Sequence, residues 1–286
     1  MSHSSNNLAR RVGGLSHRWL PFADAATVDL TLPRLWRLSL FQLSTGMAIV
    51  LLTGTLNRVM VVELGQGTSL VSLMLAIPLL LAPARALIGY RSDHHRSYLG
   101  WRRIPYLWSG TLMQFGGLAF MPFALILMIE PHSGPPIIGP IAAMGSFLLT
   151  GLGMHVSQTA GLALATDLAT EESRPRVVAL LYLMLLVGMI SSAVIFAALL
   201  DDFSYVRLIQ VIQSAAVITL ILNVAAMWKQ EVRHPELTDH ERERPTFGSA
   251  WGEFINLPKA RRLLWALGLG TMGFTMQDIL LEPYGA

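Results

Sequence analysis

His155 is the residue of this 286-residue chain whose type and place most invite chemistry. It stands in GMHVSQTAGLALATD, 12 residues before Asp167, or roughly 18 Å along a helix that rises about 1.5 Å per residue. If that stretch crosses a bilayer, the imidazole lies near the middle of a hydrocarbon core roughly 30 Å thick. A polar side chain at that depth is a functional candidate by default. Gln158 and Thr159, three and four residues on, share its face. With Gln42 and Gln114, in two other apolar stretches, they form a candidate pocket lining. The competing role for each is a hydrogen bond that ties one helix to the next.

A second group is charged. GYRSDHHRSYLGWRR, Gly89 to Arg103, sets four arginines, an aspartate and two histidines between apolar runs. Gly89, Asp93, Arg96, Gly100, Arg102 and Arg103 are its candidate working residues, able to hold helix ends together by charge while wet. His94 and His95 are expected to be solvated. A third cluster, Asn57, Arg58 and Glu63, has a counterpart in Gln277, Asp278 and Glu282 near the end of the sequence. Arg58 and Asp278 are a candidate ion pair, and an exposed pair of that kind contributes little.

What positions these residues is a set of apolar helices. The chain is 53% hydrophobic and 14% charged, against roughly 25% charged in an average soluble domain. It has no cysteine, so neither a disulfide framework nor a thiolate metal site applies. Its net charge of +3 is too small to indicate nucleic acid. Seven stretches are long and apolar enough to span a bilayer, at about 38–62, 69–89, 104–129, 137–166, 178–200, 206–228 and 263–281. Before Leu38 the sequence is polar and arginine-bearing, so no cleaved secretory signal is expected there.

Of the 21 lysines and arginines, 19 fall on one side if the N-terminus is cytoplasmic, leaving only Arg58 and Arg207 for the other. The positive-inside rule therefore predicts a cytoplasmic N-terminus and a cytoplasmic Gly89–Arg103 stretch. In that count Arg85 is taken as lying at the end of the second span. The expected organisation is a cytoplasmic segment 1–37, a six-helix bundle 38–228, a cytoplasmic linker 229–262 and a seventh helix within 263–286. Six spans, a long inner linker and a new span is the layout of a transporter built from parallel halves. The ends of the first and seventh spans agree with it: Gly54 and Glu63 are nine residues apart, as are Gly273 and Glu282. In the linker, SAWGEFINLPKARRLLW mixes aromatic and basic residues and reads as an interfacial piece. Gly145, Gly151 and Gly153 read as points of close helix packing.

The spacing Gly89-x-x-x-Asp93, then Arg96, then Gly100-Trp101-Arg102-Arg103 resembles the charged loop of the major facilitator superfamily, stretched by about three residues. In that superfamily the glycine allows close packing and the charges lock helix ends. RWLPFADAA, GTLNRVMVVELG, DHHRSYLGWRRIPYLW, GMHVSQTAGLALATDLATEESRPR and MQDILLEPYG together resemble the PucC/LhaA family, major-facilitator-like proteins of photosynthetic bacteria. The resemblance implies an all-α membrane protein: a major-facilitator-type bundle with a six-helix N-terminal half and the first helix of a C-terminal half. That family normally has twelve spans, and this sequence runs to the outer end of the seventh.

The resemblance further implies assembly of light-harvesting antenna complexes in the bacterial inner, intracytoplasmic photosynthetic membrane. The implied partners are light-harvesting α and β polypeptides, with the reaction-centre–antenna complex and bacteriochlorophyll synthesis machinery beyond them. The implied cofactors are bacteriochlorophyll and carotenoid. With that link, His155 becomes a candidate ligand for the magnesium of bacteriochlorophyll, which takes a nitrogen donor.

The alternative function is secondary transport of a small molecule or pigment. A proton-coupled transporter usually carries a carboxylate buried in its bundle, whereas the acids between Leu64 and Asp201 all lie at expected membrane edges. Neither a phosphate-cradling Gly-rich loop nor a metal-protease or nucleophile–histidine–acid set occurs, so enzymatic activity is not expected.

Overall fold

The computed structural model describes residues 30–97, 100–129, 135–231 and 246–284, with side chains described as far as Gly273 in the last helix. The first crossing begins as α1, Leu32–Ile49, with Pro33 in its first turn where a missing N–H costs nothing. It then widens into two π-helical segments, Val50–Leu56 and Val59–Glu63.

The second crossing is α2, Thr68–Leu80, followed by α3, Ala84–Asp93. The break between them has a plain cause. Pro83 has no N–H for the carbonyl of Leu79, which bonds the amide of Ala82 at 2.9 Å, so the chain tightens for one turn. Four longer helices follow: α4 Ile104–Ile129, α5 Ile138–Leu168, α6 Arg174–Leu199 and α7 Tyr205–Met227.

Among the described residues, six helical segments are long and apolar enough to cross a membrane: Leu32–Glu63, Thr68–Asp93, Ile104–Ile129, Ile138–Leu168, Arg174–Leu199 and Tyr205–Met227. They cover the first six apolar stretches of the sequence. Because the second runs to Asp93, Arg85 is eight residues inside a spanning segment and not at its end.

Lipid is as apolar as leucine, so these helices associate through close packing of small residues. The α4–α5 seam is the most extensive in the bundle. A Cβ on Gly110 would lie 2.6 Å from the amide of Ser157, and one on Gly153 would lie 2.6 Å from the carbonyl of Gly110. Gly145 differs from the expectation: nothing lies within 4 Å of where its Cβ would be. Around this seam α1 packs on α6 and α7, and α5 on α2 and α3. One apolar cluster centres on Leu51, Met121, Phe147 and Ile212; the other, toward the charged end, on Leu35, Phe41, Leu164 and Leu181. On the outer faces Leu186, Ile190, Val194 and Ile221 are exposed, as a bilayer solvent requires.

Residues 241–286 form a separate unit. Its first helix, α8, Phe247–Asn256, is capped by Thr246, whose hydroxyl accepts from the amide of Ser249 at 3.3 Å. Phe247, Trp251 and Phe254 form a ladder with ring centroids 5.9 Å apart at each step. The seventh apolar stretch lies in α9, Pro258–Tyr284.

Candidate functional site

The charged end is built around Arg103. Its side chain is 7% exposed, donates from Nε to Asp167 Oδ2 at 3.1 Å, and pairs through a terminal nitrogen with Asp93. The other terminal nitrogen donates to the buried hydroxyl of Ser92 at 2.7 Å. Arg102 approaches Asp167 at 3.7 Å. One guanidinium therefore joins the end of α3, the start of α4 and the end of α5, using the fork geometry that a lysine lacks.

A carboxylate closes the arrangement from the end of α7. Glu231 accepts from the amides of Arg102, Arg103 and Ile104 at 2.8, 3.0 and 2.9 Å, three donors at the start of α4. Those amides have no intrahelical partner, and the positive end of the helix favours the negative charge. Beside it, Arg34 donates from Nε to Gln230 Oε1 at 3.2 Å, tying α1 to the same corner.

Not every residue expected in this lock has a part in it. Arg96 is exposed and stands outside the network. Gly89 lies inside α3, where an added Cβ would meet Thr159 Cγ2 at 3.7 Å, an ordinary contact, so close packing does not require glycine there. Gly100 does require it, at φ +79°. The histidines are not simply solvated. His94 Nδ1 is 2.9 Å from the carbonyl of Tyr90, and the ring of His95 stands edge-on to Tyr106, centroids 5.3 Å apart. Asp167 and Glu231 are the members that sequence spacing missed. They come from helix ends 64 and 128 residues from Arg103, with only their place at a span boundary as a signal.

The second locus is a groove of about 150 Å³, lined by Ile49, Leu52 and Thr53 of the first span, Pro78 of α2, and Gly151 and His155 of α5. It depends on Pro78. Gly151 leaves room for the proline ring: a Cβ there would stand 2.8 Å from Pro78 Cγ. One turn on, His155 Nε2 is 2.9 Å from the Pro78 carbonyl. A carbonyl can only accept, so Nε2 carries the hydrogen and Nδ1 of the neutral ring is a bare lone pair. That nitrogen is buried and has no hydrogen-bond partner. Thr53, opposite, belongs to the π-helical turn, a distortion frequent at functional sites.

Of the expected pocket residues, His155 alone lines this groove. Gln158 donates to Gln42 Oε1 at 3.3 Å, a bond between α5 and α1. Thr159 bonds the His155 carbonyl of its own helix at 2.6 Å. Gln114 is fully buried, with both amide atoms unpartnered, beside Gly153 in the α4–α5 seam and outside the groove. At the opposite end of the first span, Arg58 and Glu63 are exposed and Asn57 is half-buried. The side chains of Gln277, Asp278 and Glu282, and with them the expected Arg58–Asp278 pair, lie outside the described residues.

The nitrogen and the recess make different demands on a pigment. A buried imidazole lone pair is a nitrogen donor of the kind that the magnesium of a tetrapyrrole would take. A space of about 150 Å³ holds a molecule the size of benzene, so it admits an edge or a chain of such a pigment and not the whole ring.

Six apolar crossings joined at small-residue seams and locked by charge at one end define an all-α, multi-pass membrane protein. The family model described as PUCC protein matches residues 55–286. The chain is 55% identical to Protein PucC of Rhodovulum sulfidophilum, over 100% of this chain and 64% of that protein. It is 56% identical to an uncharacterized protein of the puhA-bchM intergenic region of Rhodobacter capsulatus, over 96% of this chain and 58% of that one. A more distant relative, at 28% identity over 88% of this chain and 56% of its own length, is the bacteriochlorophyll synthase 44.5 kDa chain of Rhodobacter capsulatus. No solved structure matches. The chain belongs to the PucC family. It spans roughly three-fifths of the length of the curated relatives it matches.

Proposed function

We propose that this protein acts in the assembly of bacterial light-harvesting complexes, in the photosynthetic membrane. It holds antenna α and β polypeptides against its lipid-facing helices and presents bacteriochlorophyll from His155. Family membership carries the assembly role, and the name of the distant synthase relative connects the family to bacteriochlorophyll. The observation that supports pigment contact is the bare, buried Nδ1 of His155, a nitrogen donor with nothing to donate to. The bound pigment would supply the magnesium that takes this lone pair. The chain's own part is to fix the ring: the Pro78 carbonyl holds Nε2 and so selects the tautomer that leaves Nδ1 open, as outer partners do for metal-bound histidines. The exposed aliphatic face of α6, with Leu186, Ile190 and Val194, offers a helix-sized surface for an antenna polypeptide.

The alternative of proton-coupled transport gains no support from the acids of the bundle. Asp93, Asp167 and Glu231 sit at helix ends, each engaged with arginines or helix amides.

The test is an absorption spectrum of the protein purified in mild detergent from a pigment-producing host, beside a His155→Leu variant. Near-infrared bands that accompany the wild type and fall in the variant are expected. Bands unchanged in the variant would move the pigment away from His155. A colourless preparation that moves a solute across vesicles would replace this reading with transport.

A further inference from the structure

Among the described residues, Arg85 is a charge inside a membrane-spanning segment with no acid paired to it. It lies in the Thr68–Asp93 crossing, eight residues before the end of α3, roughly 12 Å from that end along the helix axis. Its Nε is buried without a hydrogen-bond partner. Among the described residues none of the ion pairs involves it; Asp93 and Asp167, the nearest acids along α3 and α5, are engaged with Arg103. A guanidinium within a span is costly to place there and is a functional candidate by default.

Its surroundings are specific. Both α3 and α5 end at the Arg103 network, so they run parallel, with Gly89 beside Thr159. One turn back on each helix, Arg85 and His155 stand at the same level. Arg85 lies within electrostatic range of His155 on α5 and of Tyr182 on α6. The groove leads from His155 past Pro78 toward Leu52, with a lining that is almost wholly apolar. A cation at the level of His155, outside the groove wall, and an apolar recess leading away from that histidine are the two halves of a site for an amphiphilic acid. The cation satisfies the headgroup by a charge-assisted hydrogen bond, and the recess takes a chain.

We propose that Arg85 is the headgroup anchor of a membrane-embedded site for an amphiphile with one anionic oxygen group, a carboxylate or a phosphate diester, whose apolar body enters the groove beside His155. Asp93 and Asp167 are held by Arg103, so neither carboxylate competes for the Arg85 guanidinium. The site rests on the position and isolation of Arg85 and does not require that His155 bind magnesium.

The test uses the whole chain expressed in a host that makes no bacteriochlorophyll, placed in phosphatidylcholine nanodiscs. Binding of palmitate, methyl palmitate and phosphatidylglycerol is measured for the wild type and for Arg85→Gln, Arg85→Lys and the exposed outer-end variant Arg58→Gln. The expected result is that one acid, palmitate or phosphatidylglycerol, binds at least about tenfold more weakly to Arg85→Gln, the scale of a lost charged hydrogen bond. Arg85→Lys keeps part of the affinity, and Arg58→Gln keeps all of it. Whichever acid shows the loss identifies the source of the anionic group. Thermal unfolding without ligand accompanies each titration. Arg85→Gln should unfold no earlier than wild type, because the native guanidinium has no partner to lose. Equal affinity of wild type and Arg85→Gln for both acids, or methyl palmitate binding as tightly as palmitate in the absence of any Arg85-dependent phosphatidylglycerol binding, overturns the proposal. An early-unfolding Arg85→Gln would make the arginine structural and overturn it as well. Loss of pigment bands in His155→Leu leaves these outcomes unchanged, so the two readings fail separately.

Discussion

Two polar regions of this bundle are solved in opposite ways. At the charged end, Arg103 is almost fully buried, yet its guanidinium meets Asp93, Asp167 and Ser92, while Glu231 takes three amides of α4. About two turns away along α3, Arg85 has a buried Nε with no partner, and on α5 at the same level His155 has a buried Nδ1 with none. A polar group buried without a partner costs about 1–3 kcal/mol. Saturation marks the first region as architecture that holds helix ends. The open valences of the second mark it as a place where something else completes the bonding.

The sharpest way to break this contrast is to unsaturate the first region. Arg103→Ala removes three interactions at once and leaves two carboxylates facing one another. The expected loss is about 2 kcal/mol, the low side for a broken buried pair, because Asp93 and Asp167 are partly solvated. Arg103→Lys should recover only part of it, since an ammonium cannot span the same partners. Thermal unfolding in one detergent reads both. An Arg103→Ala protein as stable as wild type would show that the end is held by packing alone.

The next largest effect tests how the groove is made. In Gly151→Ala the new methyl meets the Pro78 ring, which must move and carry its carbonyl away from His155. Overpacking of this kind costs about 1–3 kcal/mol, expected here near the lower value because α2 ends two residues later. The imidazole NMR signals of His155 should shift with it. Unchanged signals would mean that Gly151 does not set the Pro78–His155 contact. Smaller again, Glu231→Ala should cost about 1 kcal/mol, the usual worth of a helix cap, and Glu231→Gln less, since the amide oxygen still accepts. An equal loss for both would assign the effect to charge on the helix dipole and not to the bonds.

How much of this was legible follows from the physics of each feature. The spans were readable because lipid demands long apolar runs, and the depth of His155 because helix rise converts residue counts to distance. The arginine-rich stretch was readable as charge, but not its partners, since Asp167 and Glu231 arrive from other helices. Arg85 was misplaced because the charge count grouped it with the arginines that follow Gly89, although the apolar stretch 69–89 contains it and the backbone continues helical to Asp93. The groove was not legible at all. It needs the π-helical widening of the first span, which no local residue preference announces. It also needs Pro78 and Pro83, whose effect is to free carbonyls and shift a helix rather than to present a side chain.

The smallest effect decides what His155 is for. In His155→Leu the bond to the Pro78 carbonyl is lost, but that carbonyl still accepts from the amide of Leu81 at 3.2 Å, so it is not orphaned. A hydrogen bond between membrane helices is worth about 0.6 kcal/mol on average. Against that loss, the variant removes a buried unpartnered nitrogen and adds aliphatic surface to an apolar groove. The two terms are of similar size and opposite sign, so the ligand-free protein should unfold within about 0.5 kcal/mol of wild type. A loss of 1.5 kcal/mol or more would place His155 with Arg103, as a group held for structure. A neutral result together with loss of pigment places it with Arg85, among the residues whose partner is not part of the chain.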